Sequence, residues 1–229
     1  MKRLTVEQLE GITLEKGDHP RRKDGVCLME AVAWMAGEKH TDHPVCVSPI
    51  LAAFGRQWND DLDDAGRQRL KPYIPKLIGT VATPEVEDRR AWLLTDWMVR
   101  VHTPAWLDLA GLKDQADALR SLPALDSIAA ATAAQPSIAT ARDKAAAARA
   151  AAWAAAWAAA GDAAGAAAGA AAGDAAGDAA RAAAWDAAGD AAGDAAGDAA
   201  WAALKPTVAS LQESAFDLLD RLIDLGGAA

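Results

Sequence analysis

From Arg149 to Trp201 every fourth residue stands apart from its surroundings. Positions 153, 157, 161 and onward by four read Trp, Trp, Gly, Gly, Gly, Gly, Gly, Arg, Trp, Gly, Gly, Gly, Trp, in a background that is almost wholly alanine. Alanine is the strongest helix former, so the tract is expected to be helical. A helix advances about 100° per residue, and a four-residue step overshoots one turn by about 40°. The special stripe therefore winds fully round a straight helix in about nine repeats and cannot stay against one partner. Either the tract supercoils right-handedly, or it contains wider turns, or it has no single packing partner. Trp153 and Trp185 come back to within about 40° of each other, which leaves Trp153, Trp157, Trp185 and Trp201 as a sparse candidate assembly line. The eight glycines at this phase cost about 8 kcal/mol in all relative to alanine. Their spacing also permits another helix to approach closely. The tract thus reads as a helical hairpin, a rod or an exposed, frayed arm.

The alanine tract accounts for much of the 52% hydrophobic content. Alanine buries little area, so a core has to come from the Leu, Ile, Val and Trp of residues 1–128 and 206–225. Three segments are expected: a helical globular domain at 1–128, the repeat arm at 129–205, and an amphipathic C-terminal helix at 206–229 that packs on the first. The net charge of −9 and the lack of a long basic run argue against nucleic acid as a partner. Gly and Asp recur too often in the tract for a membrane span, and the N-terminus has no hydrophobic signal segment. A cytoplasmic location is the expectation, with Cys27 and Cys46 as thiols rather than a disulfide.

The rest of the chain carries helix signals throughout. Thr5 with Gln8 fits a capping box. Val26–Ala36 is apolar nearly all round and stops at Gly37, which suits a left-handed C-cap. Ser48-Pro49 opens a helix to about Trp58 with Ile50, Leu51, Phe54 and Trp58 inward. Shorter helices are expected near 63–70 and after Pro72. Thr83-Pro84 opens a helix with a buried stripe through Ala91, Leu94, Trp97, Met98 and Val101. Thr103-Pro104 repeats the start signal for a helix ending at Gly111, and Lys113–Leu122 gives another. No two-residue alternation occurs, so the fold class is all-α: a helical bundle with an alanine-rich extension.

Three constellations could carry chemistry. Cys27, Glu30, His40, Asp42, His43 and Cys46 fall within twenty residues. His43-x-x-Cys46 has zinc-ligand spacing, with Cys27 or His40 as further ligands, although a paired CxxC knuckle is absent. The same residues read alternatively as a thiol nucleophile, Cys27, with His43 as base and Asp42 orienting it. Ordinary buried thiols are the third reading. Glu30, on an apolar helix, needs a partner, and Arg56, Arg89 or Arg90 can supply one. Trp34, Trp58, Trp92 and Trp97 with Arg89 or Arg90 could line a pocket for a small ligand. The acidic run Asp60, Asp61, Asp63, Asp64 lacks the glycine and terminal glutamate of a calcium loop and reads as a solvated turn. No phosphate loop, GxGxxG, HExxH or GxSxG occurs.

The segment CLMEAVAWMAGEKHTDHPVCVSPILAAFGRQWND, followed by TPEVEDRRAWLLTDWMVR and TPAWLDLAGL, resembles a family of uncharacterised bacterial and phage helical proteins. The resemblance spans roughly residues 5–128 and 206–225 and implies an alanine-rich connection of variable length. The repeat itself is similar to tracts in predicted immunity proteins of polymorphic toxin systems. Neither implies an activity, a cofactor or a catalytic residue. The leading expectation is a non-enzymatic protein that binds a protein partner or itself, in phage–host or toxin conflict. The alternatives are a small metal- or thiol-dependent enzyme built on Cys27, Glu30, His43 and Cys46, and a protein that sequesters a small ligand.

Overall fold

The computed structural model describes residues 3–171 and 202–226, with the backbone alone over 152–171. Trp185 and Trp201, and the side chains of Trp153 and Trp157, lie outside the described residues. Among the described residues all regular structure is helical, and no helix is long and apolar enough to cross a membrane. The chain divides into two compact units, Met1–Thr95 with Ala215–Ala229, and Asp96–Ser214. The division falls at 95/96, inside a helix.

The first unit is built round α1 (Leu28–Ala36), whose residues Leu28 to Ala33 are all buried. Gly37 ends it in the left-handed conformation at φ 82°, and the Glu38 N–H closes onto the Ala33 carbonyl. Helix α2 (Pro49–Asp61) starts as expected, with the Ser48 hydroxyl accepting from Leu51 N–H and proline at the first position. It crosses α1 at Gly55, where a Cβ would lie 2.7 Å from Met29 Cε and 3.2 Å from Leu28 Cδ2. It also runs past Trp58 to Asp61, because Asn59 is buried: its amide donates to the Glu15 carbonyl and its oxygen accepts from Leu28 N–H. The acidic run divides accordingly. Asp60 and Asp61 stay in α2, and Asp63 caps α3 (Asp64–Gln68) by accepting from Gly66 N–H.

Helix α4 (Tyr73–Leu77) and α5 (Pro84–Trp97) complete the local elements of this unit with the end of α9, the helical residues 202–224. Phe216 of α9 packs at 5.8 Å from Trp58 and 6.0 Å from Tyr73, under the Arg69 guanidinium at 4.2 Å. Leu218, Leu219 and Leu222 are fully buried. Arg90, also fully buried, donates to the Leu222 and Thr80 carbonyls and to Glu87. The C-terminal helix is thereby fixed at its last turn by a side chain from α5.

In the second unit, α6 (Thr103–Leu109), α7 (Lys113–Arg120) and α8 (Ile128–Ala171) share a cluster of Leu107, Ala116, Leu119 and Ala141, with Val99, Ile138 and Ala145 against it. Helix α6 begins at the Thr103-Pro104 pair as expected, but no break precedes it. Met98–His102 form a π-turn that joins α5 to α6 without a break. Pro104 has no N–H to give to the Arg100 carbonyl, and its ring would collide with that carbonyl in an ordinary α-turn. Widening the turn avoids the collision: both the N–H and the hydroxyl of Thr103 reach back five residues to the Met98 carbonyl.

Candidate functional site

The polar centre of the first unit forms where the loop before α1 folds back on that helix. Cys27 takes the N-cap position and Glu30 the third helical position of a capping box, with Cys27 N–H donating to Glu30 Oε2 at 2.8 Å. His19 adds two donors: its N–H to Oε1 at 2.7 Å and its Nδ1 to Oε2 at 2.8 Å. His40 Nε2 lies 3.3 Å from Oε1 and donates to the His19 carbonyl at 2.8 Å. Burial opposes the charge on Glu30, which is 1% exposed, but these donors outweigh it and hold the carboxyl below its ordinary 4.5.

The partners of Glu30 are thus histidines, and the arginines expected for it are used elsewhere. Arg56 donates to the Asp42 carbonyl, Arg90 is taken by Glu87 and two carbonyls, and Arg89 is exposed. On its outer side His19 Nε2 faces Glu15 at 3.7 Å. Gly25, at φ 138°, lets the loop turn against this ring, and a Cβ there would run into the imidazole.

A cleft of about 110 Å³ opens beside Cys27, lined by Gly17, Asp18, Asp42, Arg56, Asn59 and Asp60. Asp60 accepts from Gly17 N–H and from Asn59, so the cleft floor is hydrogen-bonded into the scaffold. Cys27 and Asp42 therefore do share a site. His43 does not line it: the ring is 69% exposed and sits 3.5 Å from Asp42. Burial above all pushes the Cys27 thiol up to about 12, which keeps it protonated at neutral pH, whereas a nucleophile needs the thiolate.

Cys46 lies apart. Burial and then the Glu38 carboxylate push its thiol up to about 11, while Glu38 accepts from the Val45 and Cys46 N–H groups. Both cysteines are free. Among the described residues no group of three or more His, Cys, Asp or Glu side chains is arranged to hold a metal ion, so Cys27, His40, His43 and Cys46 are not gathered round one point.

Three of the residues expected to line an aromatic pocket have partners of their own. Trp34 is covered by the Arg22 guanidinium at 4.5 Å, and Trp58 stacks on Phe54 at 6.1 Å. Trp97 belongs to the second unit, where its Nε1 donates to the Ser214 hydroxyl at 2.7 Å.

Trp97 instead belongs to a cluster that the sequence did not announce. The π-turn sets the His102 ring 5.3 Å from Trp97 and 6.1 Å from Trp106, and Trp106 Nε1 donates to His102 Nε2 at 3.2 Å. Only the i,i+4 spacing of His102 and Trp106 signalled it, and the Thr-Pro start signal between them masked that spacing. The fold and these two loci define an all-helical protein with a histidine–carboxylate centre in one unit and a histidine–tryptophan centre in the other. In comparisons with known proteins, no family model, no curated protein and no solved structure matches the chain.

Proposed function

We propose that the chain is a non-enzymatic binding protein that acts by stoichiometric binding or self-assembly, with the alanine-rich helix as its interaction element. The observation that carries this reading is α8, a single helix of 44 residues, on which Ala145 is the last of the described side chains packed against the cluster. From there the backbone stays helical to Ala171, about 40 Å further at 1.5 Å per residue. Alanines 146, 147, 150 and 151 and Arg149 are exposed on that stretch. These exposed residues present a surface, and the sequence beyond them repeats the same alanine-rich chemistry. On the resemblance noted above, the setting would be phage–host or toxin conflict.

Light scattering on the whole chain and on a chain lacking residues 150–203 tests this. The whole chain is expected to form a defined oligomer, or to retain a protein partner, that the shortened chain loses. A whole chain that is strictly monomeric, and that loses no binding on the deletion, sinks the reading. The cleft beside Cys27 supports a second, smaller role. At about 110 Å³ it is well below the roughly 300–1,000 Å³ of sites that enclose drug-sized molecules, so a sequestered ligand would be a small polar molecule. Native mass spectrometry of freshly isolated protein would show such a ligand, and a bare mass removes this role.

A further inference from the structure

We propose that His102 is a proton-operated catch on the π-turn: neutral, it holds Trp106 and the wide turn in place, and protonated, it releases them. This inference is independent of the binding role above. An indole N–H can only donate, so the bond from Trp106 Nε1 requires a lone pair on His102 Nε2. The ring bonded in this way is therefore the neutral tautomer with its proton on Nδ1. Adding a proton to Nε2 sets two donors against each other at a separation of 3.2 Å. One of the two rings must then turn away.

The location makes the change matter. His102 is the last residue of the π-turn, four residues before Trp106 and against Trp97, which is itself anchored on Ser214. The wide turn exists because Pro104 forbids the ordinary one, and it is pinned by Thr103 to the Met98 carbonyl on one side and by the His102–Trp106 pair on the other. Met98 and Val101, on the turn itself, are already 42% and 41% exposed. Releasing the pair removes one of the two side-chain bonds that pin the turn.

The charged groups on the surrounding elements are committed to one another. Asp96 pairs with Arg100 on the same helix and accepts from Leu125 N–H. Arg120 of α7 bridges Asp108 of α6 and Asp117. Lys113 acts on Asp108, and Glu213 of α9 also has a partner of its own. Burial holds the His102 ring below the ordinary histidine value of 6.5, and no charged neighbour contributes.

The test is a titration of the full chain, following the indole N–H resonance of Trp106, identified by its loss in Trp106→Phe. On acidification from about pH 7.5 to about pH 5 the resonance is expected to move with a midpoint below 6.5. His102→Gln, which keeps an acceptor but takes up no proton, is expected to abolish that movement. His19, His40 and His43 remain in that variant as internal controls. In Trp106→Phe the His102 ring protons are read directly, and their midpoint is expected to rise towards 6.5, since the bond favouring the neutral ring is gone. A Trp106 resonance that stays still, or that moves equally in His102→Gln, overturns the proposal. So does a His102 midpoint unchanged by Trp106→Phe.

Discussion

Replacing Glu30 by glutamine keeps the side-chain volume but turns one of its two accepting oxygens into a donor. Either Cys27 N–H and the His19 ring, or the His19 N–H, then faces an amide that cannot accept. Because the site is buried, the variant is expected to lose about 2–4 kcal/mol in urea unfolding. The pH dependence follows from the lowered carboxyl. A group whose folded value lies below its ordinary 4.5 adds stability that is complete above 4.5 and is lost as the pH falls through the folded value. The variant should therefore show a shallower acid limb than the parent, and an unchanged limb would mean that Glu30 is not the group titrating. Gly25→Ala attacks the same centre from outside, by combining a φ of 138° with a Cβ driven into the His19 ring. A loss of about 1–3 kcal/mol is expected, read as a drop of several degrees in thermal midpoint. That Glu30 needed a partner was legible in the sequence, since a carboxylate on an apolar helix has to be paired. The identity of the partner was not legible. His19 lies in an irregular loop with no periodicity to place it, and its contact depends on how Gly25 turns the chain.

At the level of the helix, capping chemistry carried most of the legible information. Ser48-Pro49, Gly37 and the Thr5–Gln8 box act in the structure as their residue types imply, although Thr5 and Gln8 open a 3-10 helix, Val6–Gly11. The sequence places the start of α6 at Thr103-Pro104 but gives no sign of the π-turn that precedes it. A Thr-Pro pair is equally compatible with a helix start and with a π-turn inside a helix, and the choice was made by tertiary contacts of Trp97, Val99 and Leu107. Gly55 is the element-scale counterpart of Gly25. No turn requires it, and its role appears only once α1 is seen against it. Gly55→Ala is expected to push Met29, itself fully buried, and to cost about 1–3 kcal/mol despite the better helix propensity of alanine. Chemical denaturation gives the sign directly, and a stabilised variant would show that the two helices can part without loss.

For the molecule as a whole, the unit containing the N-terminal helices is completed by residues from the far end of the sequence. Composition alone suggested a C-terminal helix packed on the first segment, because its apolar face needed a cover. The position of the division between units was not legible, because the helix carrying it shows the same pattern on both sides of Thr95. A chain ending at Ser214 lacks Phe216, Leu218, Leu219 and Leu222, and leaves the buried Arg90 without one of its carbonyl partners. It is expected to lose the cooperative unfolding transition of the first unit, observed by near-ultraviolet circular dichroism through Trp58 and Tyr73. Retention of that signal would show that α9 only decorates the unit. The Arg90–Leu222 bond spans 132 residues of chain. A ribosome adding about 5–20 residues per second releases these two partners on the order of ten seconds apart. Throughout that interval the nascent unit carries a bare cationic side chain and an open aromatic groove, the kind of surface that chaperones hold. The long alanine tract is synthesised within this interval, so every repeat added to it lengthens the wait.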